Sequence, residues 1–209
     1  AREPALADVS LSVPAGQCVV LTGGSGCGKT TLTRLINGLV PHVYAGEVAG
    51  CVMVEGTEVA AWTPDELGVR VGSVFQNPRS QFVNLDVASE IAFGCENLGL
   101  PRDEIVARVH EAARALGIAD LLDRGIEELS GGQKQAVAIA SAFAMEPTVF
   151  VLDEPTASLD VPSMKRLAEV VAALKAAGKT VVVSEHRLWW LADVADRVVL
   201  MEDGAVAGD

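Results

Sequence analysis

Residues 23–30 combine glycines, a lysine and a threonine in an arrangement that suits phosphate binding. They read GGSGCGKT and fit the pattern G-x-x-x-x-G-K-[ST]. The glycines let successive backbone N–H groups turn inward toward phosphate oxygens, and a following helix would add its N-terminal dipole. Lys29 would supply a positive charge to the terminal phosphates, and Thr30 would offer a hydroxyl to Mg²⁺. The segment therefore predicts a nucleotide-binding loop.

Two carboxylates, those of Asp153 and Glu154, directly follow the apolar run 149–152. Such a run is typical of a buried parallel strand, so Asp153 is expected at the carboxyl edge of a sheet, beside the phosphate-binding loop. There Asp153 would hold Mg²⁺, directly or through water, and Glu154 would act as the base for an attacking water. Two acids at a strand end also occur at the start of a solvated loop, so the interpretation depends on the pairing with residues 23–30.

The elements that must position these residues alternate between strands and helices. Apolar runs predict strands at 18–21, 69–75, 148–152, 180–183 and 197–201. Helical patterns cover 29–39, 101–116, 134–145 and 165–177. The runs 48–54 and 57–59 flank Glu55-Gly56 and predict a hairpin. The fold class predicted is α/β, with a mostly parallel sheet covered on both faces and a small antiparallel patch.

Composition excludes several classes of protein. The chain has 209 residues, is 50% hydrophobic, and carries a net charge of −12. That acidity argues against a nucleic-acid binder, whose affinity depends on Lys and Arg. The longest uncharged run, residues 9–28, contains Pro14 and several glycines and so does not predict a membrane helix. The four cysteines have no metal-site spacing, which favours reduced thiols in the cytosol.

A second anion-binding element is expected at residues 129–133, LSGGQ, which precede an Ala-rich helical stretch. Ser and Gly at a helix start form an anion site. Two such elements for one nucleotide make sense if each chain completes its partner's site. This pentapeptide resembles the signature motif of the ABC ATPases, which are P-loop NTPases, and the resemblance covers nearly the whole chain. In that family, the signature of one subunit closes over the nucleotide held by the other.

Three further positions resemble motifs of the same family. Gln76 matches the Q-loop glutamine, which implies contact with Mg²⁺ and water and communication with a transmembrane partner. Residues 158–160, SLD, match the D-loop, which reaches across the dimer. His186 matches the switch histidine and implies contact with the γ-phosphate. His42 and His110 are interpreted as structural or solvated.

The resemblance implies a full set of residues for ATP and Mg²⁺. The catalytic residues implied are Glu154, His186, Gln76 and Lys29. The nucleotide contacts implied are Gly23, Ser25, Gly26, Cys27, Gly28, Lys29, Thr30, Thr31, Ser130, Gly131, Gly132, Gln133 and Asp160. The metal ligands implied are Thr30, Gln76 and Asp153.

The resemblance also implies an organisation and a set of partners. We expect a single ABC ATPase domain over residues 1–209, which includes a helical subdomain at about 78–140. The partners implied are a second ATPase subunit, identical or not, and transmembrane transporter subunits, with no nucleic acid. The location implied is peripheral, at the cytoplasmic face of the cell membrane.

Two regions are similar to the ATPases of energy-coupling factor (ECF) importers, which take up vitamins and transition-metal ions. They are QNPRSQF at 76–82 with ASEIAFGCEN at 88–97, and EHRLWWL at 185–191. Tyrosines often occupy the places of Trp189 and Trp190 in that group, although the pair also fits ordinary helix packing. The function expected is that of the ATP-hydrolysing subunit of such an importer.

Two other functions stay open at this point. One is a non-catalytic, ATP-dependent regulatory module, against which the intact Glu154 and His186 argue. The other is a soluble ABC ATPase acting on ribosomes or DNA. The separation of Lys29 and Ser130 leaves no room for the long coiled-coil insertion of the DNA-acting relatives, and the acidic charge disfavours ribosome binding.

Two departures from the family pattern affect these expectations. Ala136 stands where many relatives carry Arg, a change expected to alter a surface contact. The family also has an aromatic residue upstream of the first core strand that stacks on adenine, whereas here only Tyr44 and Trp62 precede Phe75, both poorly placed. We therefore expect a chain trimmed at both ends, with the adenine-stacking contribution missing.

Overall fold

Valine-rich apolar runs form the central sheet, as the sequence predicts. The computed structural model describes residues 4–77 and 81–209. The strands described are β1 (Cys18–Gly23), β2 (Met53–Val54), β3 (Thr57–Glu58), β4 (Val71–Val74), β5 (Val149–Asp153), β6 (Thr180–Ser184), β7 (Arg197–Glu202) and β8 (Ala205–Gly208). Six of them form one sheet in the order β4-β5-β6-β1-β7-β8, parallel except for the last pair. The mostly parallel α/β fold is confirmed.

Helices cover both faces of this sheet. They are α1 (Lys29–Ile36), α2 (Leu39–His42), α3 (Pro64–Gly68), α4 (Val87–Asn97), α5 (Arg102–Ala115), α6 (Gly131–Ala144) and α7 (Val161–Ala176). The alternation of side chains along β1 separates the two cores: Val19 and Leu21 pack with Leu32 of α1, whereas Val20 belongs to the larger core formed by α4 to α7. Val151 of β5 joins a third cluster beneath the small β2–β3 pair.

Several predicted bounds were wrong, each for a local reason. The helix predicted at 29–39 ends at Ile36, because Gly38 adopts a left-handed φ of 68° and a Cβ there would meet the Leu67 side chain at 2.3 Å. The predicted hairpin is antiparallel as expected but much shorter, because only two residues of each arm pair across the turn. The helix α7 starts before Lys165, at Val161, because Asp160 caps it.

Several described elements, among them α3, α4 and β8, had no counterpart among the predicted elements. The helix α4 begins at the N-cap Asp86, whose carboxylate accepts a hydrogen bond from the Ser89 N–H at 2.8 Å. Its buried side chains Val87, Ile91 and Cys95 recur every four residues, a signal that was present in the sequence. The strand β8 pairs with β7 only after the chain has turned at Gly204, and its short run has no comparable periodicity.

The region expected to form the helical subdomain, about 78–140, contains α4, α5 and the first part of α6. Its first residues, Pro78 to Ser80, lie outside the described residues. The subdomain boundary stays a prediction. Within the described ranges, the structure has no helix that is both long and apolar enough to cross a membrane.

Asp196 links the first residue of β1 to α7, and this contact should make the free energy of unfolding depend on pH. Its carboxylate accepts hydrogen bonds from the Lys175 ammonium at 2.6 Å and from the Cys18 N–H at 2.8 Å. The Lys175 bond, followed by the Cys18 bond, lowers the pKa of Asp196. A carboxyl whose pKa is lower in the folded state stabilises the protein above its ordinary value and loses that contribution as the pH falls through the lowered one.

We predict that Asp196→Asn lowers the free energy of unfolding at pH 7 and flattens its decline from about pH 5 downward. Urea unfolding between about pH 7 and 2 measures both effects. Asp193→Asn removes an exposed carboxylate from the same loop and serves as the control. Identical pH profiles for wild type and Asp196→Asn would contradict the assignment.

Candidate active site

Four neighbouring strands end at one edge of the sheet, and each is followed by residues that the sequence predicts to be functional. Parallel strands place their carboxyl ends together, and ligands bind in the crevice outside those ends. The phosphate-binding loop follows β1, Gln76 follows β4, Asp153 ends β5, and His186 follows β6. The register puts Leu21 and Asp153 on either side of Ser184, so these strand ends are level. The fold therefore gathers residues that lie far apart in sequence.

The loop at residues 23–30 folds around its own lysine. Lys29 is buried, and its ammonium donates hydrogen bonds to the carbonyl oxygens of Gly23 at 3.0 Å and Gly24 at 2.9 Å. Its Nζ also lies 3.6 Å from the Cys27 sulfur. The positive charge of Lys29 is thus held within the curve of the loop, where the sequence predicts that the terminal phosphates bind.

The beginning of α1 offers its backbone amides to an anion. Gly28, the N-cap, has a left-handed φ of 103° and no side chain to cap the helix. The first N–H groups of a helix have no intrahelical acceptor, and the helix dipole favours negative charge there. The position tolerates no Cβ, which would meet Leu6 at 2.6 Å and the Ala5 carbonyl at 2.9 Å. The residues present therefore fit a phosphate group.

Thr30 and Asp153 form the candidate metal-binding pair. The Thr30 hydroxyl donates to Asp153 Oδ1 at 3.3 Å. Burial raises the pKa of the Asp153 carboxyl, and the hydrogen bond from Thr30 acts in the opposite direction. Mg²⁺ is usually held in such sites by one or two protein oxygens together with substrate phosphates, and these two side chains fit that pattern.

Glu154 lies between two of the other predicted catalytic side chains, Gln76 and His186. Its Oε2 accepts a hydrogen bond from Gln76 Nε2 at 3.3 Å, and its Oε1 lies 3.2 Å from His186 Nε2. Its backbone has a φ of 47°, a left-handed conformation that is uncommon for a non-glycine residue and that occurs often at functional sites. The structure thus brings Gln76, Glu154 and His186 together beside Asp153.

The signature segment lies at the beginning of α6, where Ser130 and Gln133 form a reciprocal capping box. The Ser130 hydroxyl accepts from the Gln133 N–H at 3.3 Å, and the Gln133 side chain accepts from the Ser130 N–H at 2.9 Å. In the described part of the chain, neither side chain has a hydrogen bond to the phosphate-binding loop. One chain therefore does not join the two anion sites through these side chains.

Asp160 also acts as a helix cap within its own chain. Its carboxylate accepts a hydrogen bond from the Ser163 N–H at 3.0 Å, and hydrogen bonding with Ser163 lowers the pKa of Asp160. Gly131 and Gly132 begin α6, and the remaining predicted nucleotide contacts, Ser25, Gly26 and Thr31, lie in or next to the loop at 23–30. The nucleotide-binding role of each of these residues stays a prediction.

The structure alters several secondary expectations. Ala136 is buried in α6, so its departure from the family pattern does not change a surface contact. Trp190 packs in the main core, whereas Trp189 is 48% exposed. The Arg34 guanidinium lies over the Tyr44 ring, 4.2 Å from its centroid, and the Arg70 guanidinium lies over the Trp62 ring, 4.8 Å from its centroid. His42 and His110 are exposed, as expected.

Sequence reasoning missed a contact between the signature helix and the acidic strand end. Gln135 is buried in α6, and its Nε2 donates to the Pro155 carbonyl at 2.8 Å. Pro155 directly follows Glu154. A glutamine within an otherwise Ala-rich, apolar helix was the signal that could have indicated it, because buried amides require partners.

Comparison with known proteins identifies the family. The family model described as ABC transporter matches residues 6–157, which is most of the chain. The chain belongs to the ABC transporter ATP-binding family. Domains of this family hydrolyse ATP in transporters, which confirms the ATPase prediction at the level of the family.

The relatives agree with this assignment. A Treponema denticola protein named as an ABC transporter ATP-binding protein is 50% identical over 208 residues, which cover 100% of this chain and 42% of that protein. A Halobacterium salinarum protein with the same description is 47% identical over 201 residues, covering 95% of this chain and 83% of that protein. The chain thus spans less than half the length of the Treponema relative.

A solved structure has the same fold. CbiO1 from Clostridium perfringens, described as part of the ABC transporter complex CbiONQ, superimposes with a TM-score of 0.88. The two chains are 31% identical, and the match covers 98% of this chain and 80% of CbiO1. The ABC ATPase architecture expected from the sequence is therefore confirmed.

The close packing of the signature helix predicts the effect of one substitution. A Cβ at Gly132 would lie 2.6 Å from Ser163 Cβ and 3.1 Å from Ser163 Cα at the beginning of α7. We expect Gly132→Ala to force α6 and α7 apart and to lower the free energy of unfolding by about 1–3 kcal/mol.

Urea unfolding measures this change, with Gly125→Ala as the matched control. Gly125 has an ordinary φ of −71°, and a Cβ there would meet only the Glu128 side chain, at 3.5 Å. Equal stabilities of the two variants would show that the α6–α7 contact accommodates a methyl group.

Proposed function

We propose that this chain binds MgATP at the carboxyl edge of its sheet and hydrolyses it to power an importer of the ECF type. The observation that carries the proposal is the convergence of Gln76, Glu154 and His186 beside the Thr30–Asp153 pair. Phosphoryl transfer requires mainly positioning and electrostatic stabilisation, and these groups supply both.

Each side chain has a role that follows from its position. Lys29 and the first amides of α1 bind the phosphates and offset their negative charge. Thr30 and Asp153 would hold the Mg²⁺ that accompanies ATP, and that ion would supply positive charge to the phosphates. Glu154 accepts a proton from the attacking water, and Gln76 orients that water. His186 donates a hydrogen bond to the terminal phosphate.

Two copies of the ATPase unit are needed in this proposal, because a complete site takes the signature residues from a partner. Ser130 is exposed at the N-terminal end of α6, where the helix dipole favours an anion. We propose that Ser130 and Gly132 of a second subunit, identical or not, close over the nucleotide. Asp160 reaches the same interface.

The ECF assignment is supported by two features. The segments at 76–82 and 185–191 resemble that group, and the fold matches CbiO1, which is described as part of an ABC transporter complex. We propose that the full protein binds transmembrane subunits at the cytoplasmic face of the membrane and energises uptake of a vitamin or a metal ion. Co-purification with detergent-solubilised transmembrane subunits, and not with ribosomes, tests this part.

Glu154→Gln tests the chemistry directly. Loss of the proton acceptor should lower kcat for ATP hydrolysis by about 10²- to 10⁴-fold and leave nucleotide binding in place. The measurement is steady-state phosphate release by the full-length protein, with light scattering to detect an ATP-dependent dimer.

The matched control is Glu169→Gln, which makes the same change of charge on the exposed side of α7. It should hydrolyse ATP at the wild-type rate. Wild-type turnover by Glu154→Gln would refute the assigned base, and a variant that stays monomeric with MgATP would point to a different second subunit.

A further inference from the structure

The carboxylate of Glu185 is buried beside the active site and is not used by the chemistry described above. The residue is 2% exposed. Its Oε1 accepts hydrogen bonds from the His186 N–H at 2.7 Å and the Arg187 N–H at 3.1 Å, and its Oε2 accepts one from the Thr156 hydroxyl. A buried carboxylate is costly unless it is paired and hydrogen-bonded, so an arrangement this complete indicates a specific role.

Thr156 is the partner on the opposite loop. It is completely buried, and it receives the Arg187 guanidinium both at its carbonyl oxygen and, at 3.3 Å, at its hydroxyl. Thr156 belongs to the loop after β5, whereas Glu185 and Arg187 belong to the loop after β6. The buried Glu185 and Thr156, together with the partly buried Arg187, thus form a bridge between the two loops.

The bridge is attached directly to the two groups whose separation matters for hydrolysis. Thr156 follows Glu154 by two residues, and Glu185 immediately precedes His186. Both attachments are fixed by backbone hydrogen bonds, from Glu154 N–H to the Ser184 carbonyl and from Glu185 N–H to the Leu21 carbonyl, each at 2.9 Å. The bridge therefore closes a ring of contacts that includes the 3.2 Å approach of His186 to Glu154.

We propose that Glu185 is a positioning residue that, through Thr156, holds Glu154 and His186 at the separation required for ATP hydrolysis. This role rests on the function proposed above for Glu154 and His186. It concerns the rate of the chemical step more than the binding of phosphate, because Lys29 and the loop at 23–30 lie outside the bridge and His186 supplies only one of the phosphate contacts.

Removing the bridge should lower kcat and leave KM for ATP nearly unchanged. Glu185→Met keeps the length of the side chain but has no oxygen acceptor, and Thr156→Val keeps the shape but loses the hydroxyl. We expect each to reduce kcat at least about tenfold, because small misplacements of catalytic groups have large effects on rate. KM for ATP should change by less than about twofold, since phosphate binding is retained.

Glu185→Gln is the rescue variant. Its amide oxygen can accept from the His186 and Arg187 N–H groups, and its amide N–H can donate to the Thr156 hydroxyl. We expect kcat within about threefold of wild type. The double variant Thr156→Val with Glu185→Met should lose little more than the worse single variant, because groups that act through one network are not additive.

Thr180→Val is the matched control for a purely structural effect. Thr180 is also a buried threonine, and its hydroxyl accepts a hydrogen bond from the Gly16 N–H at 3.0 Å. It lies at the opposite end of β6 from His186. It should lower Tm as Thr156→Val does and leave kcat unchanged.

Steady-state kinetics and thermal unfolding of the full-length protein test whether Glu185 positions the catalytic groups or only stabilises the fold. A fall in kcat confined to Glu185→Met and Thr156→Val, restored in Glu185→Gln, supports the proposal. It is overturned if Thr156→Val keeps wild-type kcat, or if kcat falls equally in Thr180→Val and follows Tm. Glu154→Gln is measured in parallel, and normal hydrolysis by that variant shows instead that the proposed function itself has failed.

Discussion

The parallel pairing of β5 between β4 and β6 is the constraint on which the site depends. In this register, Leu152 pairs with Val74 on one side and Val183 on the other, so all three strands end at the same level. The side chains that follow them can then meet across a few ångströms. A slip of one residue would exchange the two faces of β5, moving Phe150 and Leu152 out of the core formed with α4 to α7. The same hydrophobic burial that stabilises the sheet therefore sets the position of Asp153 and Glu154.

The site also requires that the β7–β8 turn approach the backbone of the phosphate-binding loop closely. The phosphate-binding loop is supported from outside by the β7–β8 turn, where the Gly204 N–H donates to the Cys27 carbonyl at 3.2 Å. The same glycine accepts a hydrogen bond at its carbonyl from the Ala7 N–H at 2.8 Å, and a Cβ there would meet the Ala5 carbonyl at 2.9 Å. Glycine is needed because φ is 79° and there is no space for a side chain. Supporting contacts of this kind keep the loop curved toward its ligand.

Buried charges in this acidic chain are concentrated near functional segments. Lys29 lies in the phosphate-binding loop, Lys134 directly follows the signature, and Glu185 precedes His186. Each has partners that offset the cost of burial; the ammonium of Lys134, for example, lies 3.4 Å from the Glu127 carboxylate. Glu90 of α4 likewise accepts the N–H groups of Val83 and Asn84, at 3.0 and 2.8 Å. Such contacts fix the path of the loops that carry them.

The sequence by itself determined the local chemistry. The loop at 23–30, the acidic pair after an apolar run, and the signature before an Ala-rich helix were predictable because backbone amides, glycine conformations and helix caps act over a few residues. The sequence also indicated the strand–helix alternation, and hence the mostly parallel sheet.

Only the tertiary structure decided how these pieces meet. The contact of Glu154 with both Gln76 and His186, and the buried bridge from Glu185 to Thr156, join segments whose order in the chain does not indicate which strands are neighbours. Helix ends such as Ile36 were set by packing, since Gly38 passes against Leu67 from a separate element. Interactions between distant segments depend on strand order and burial, which become fixed only when the whole core forms.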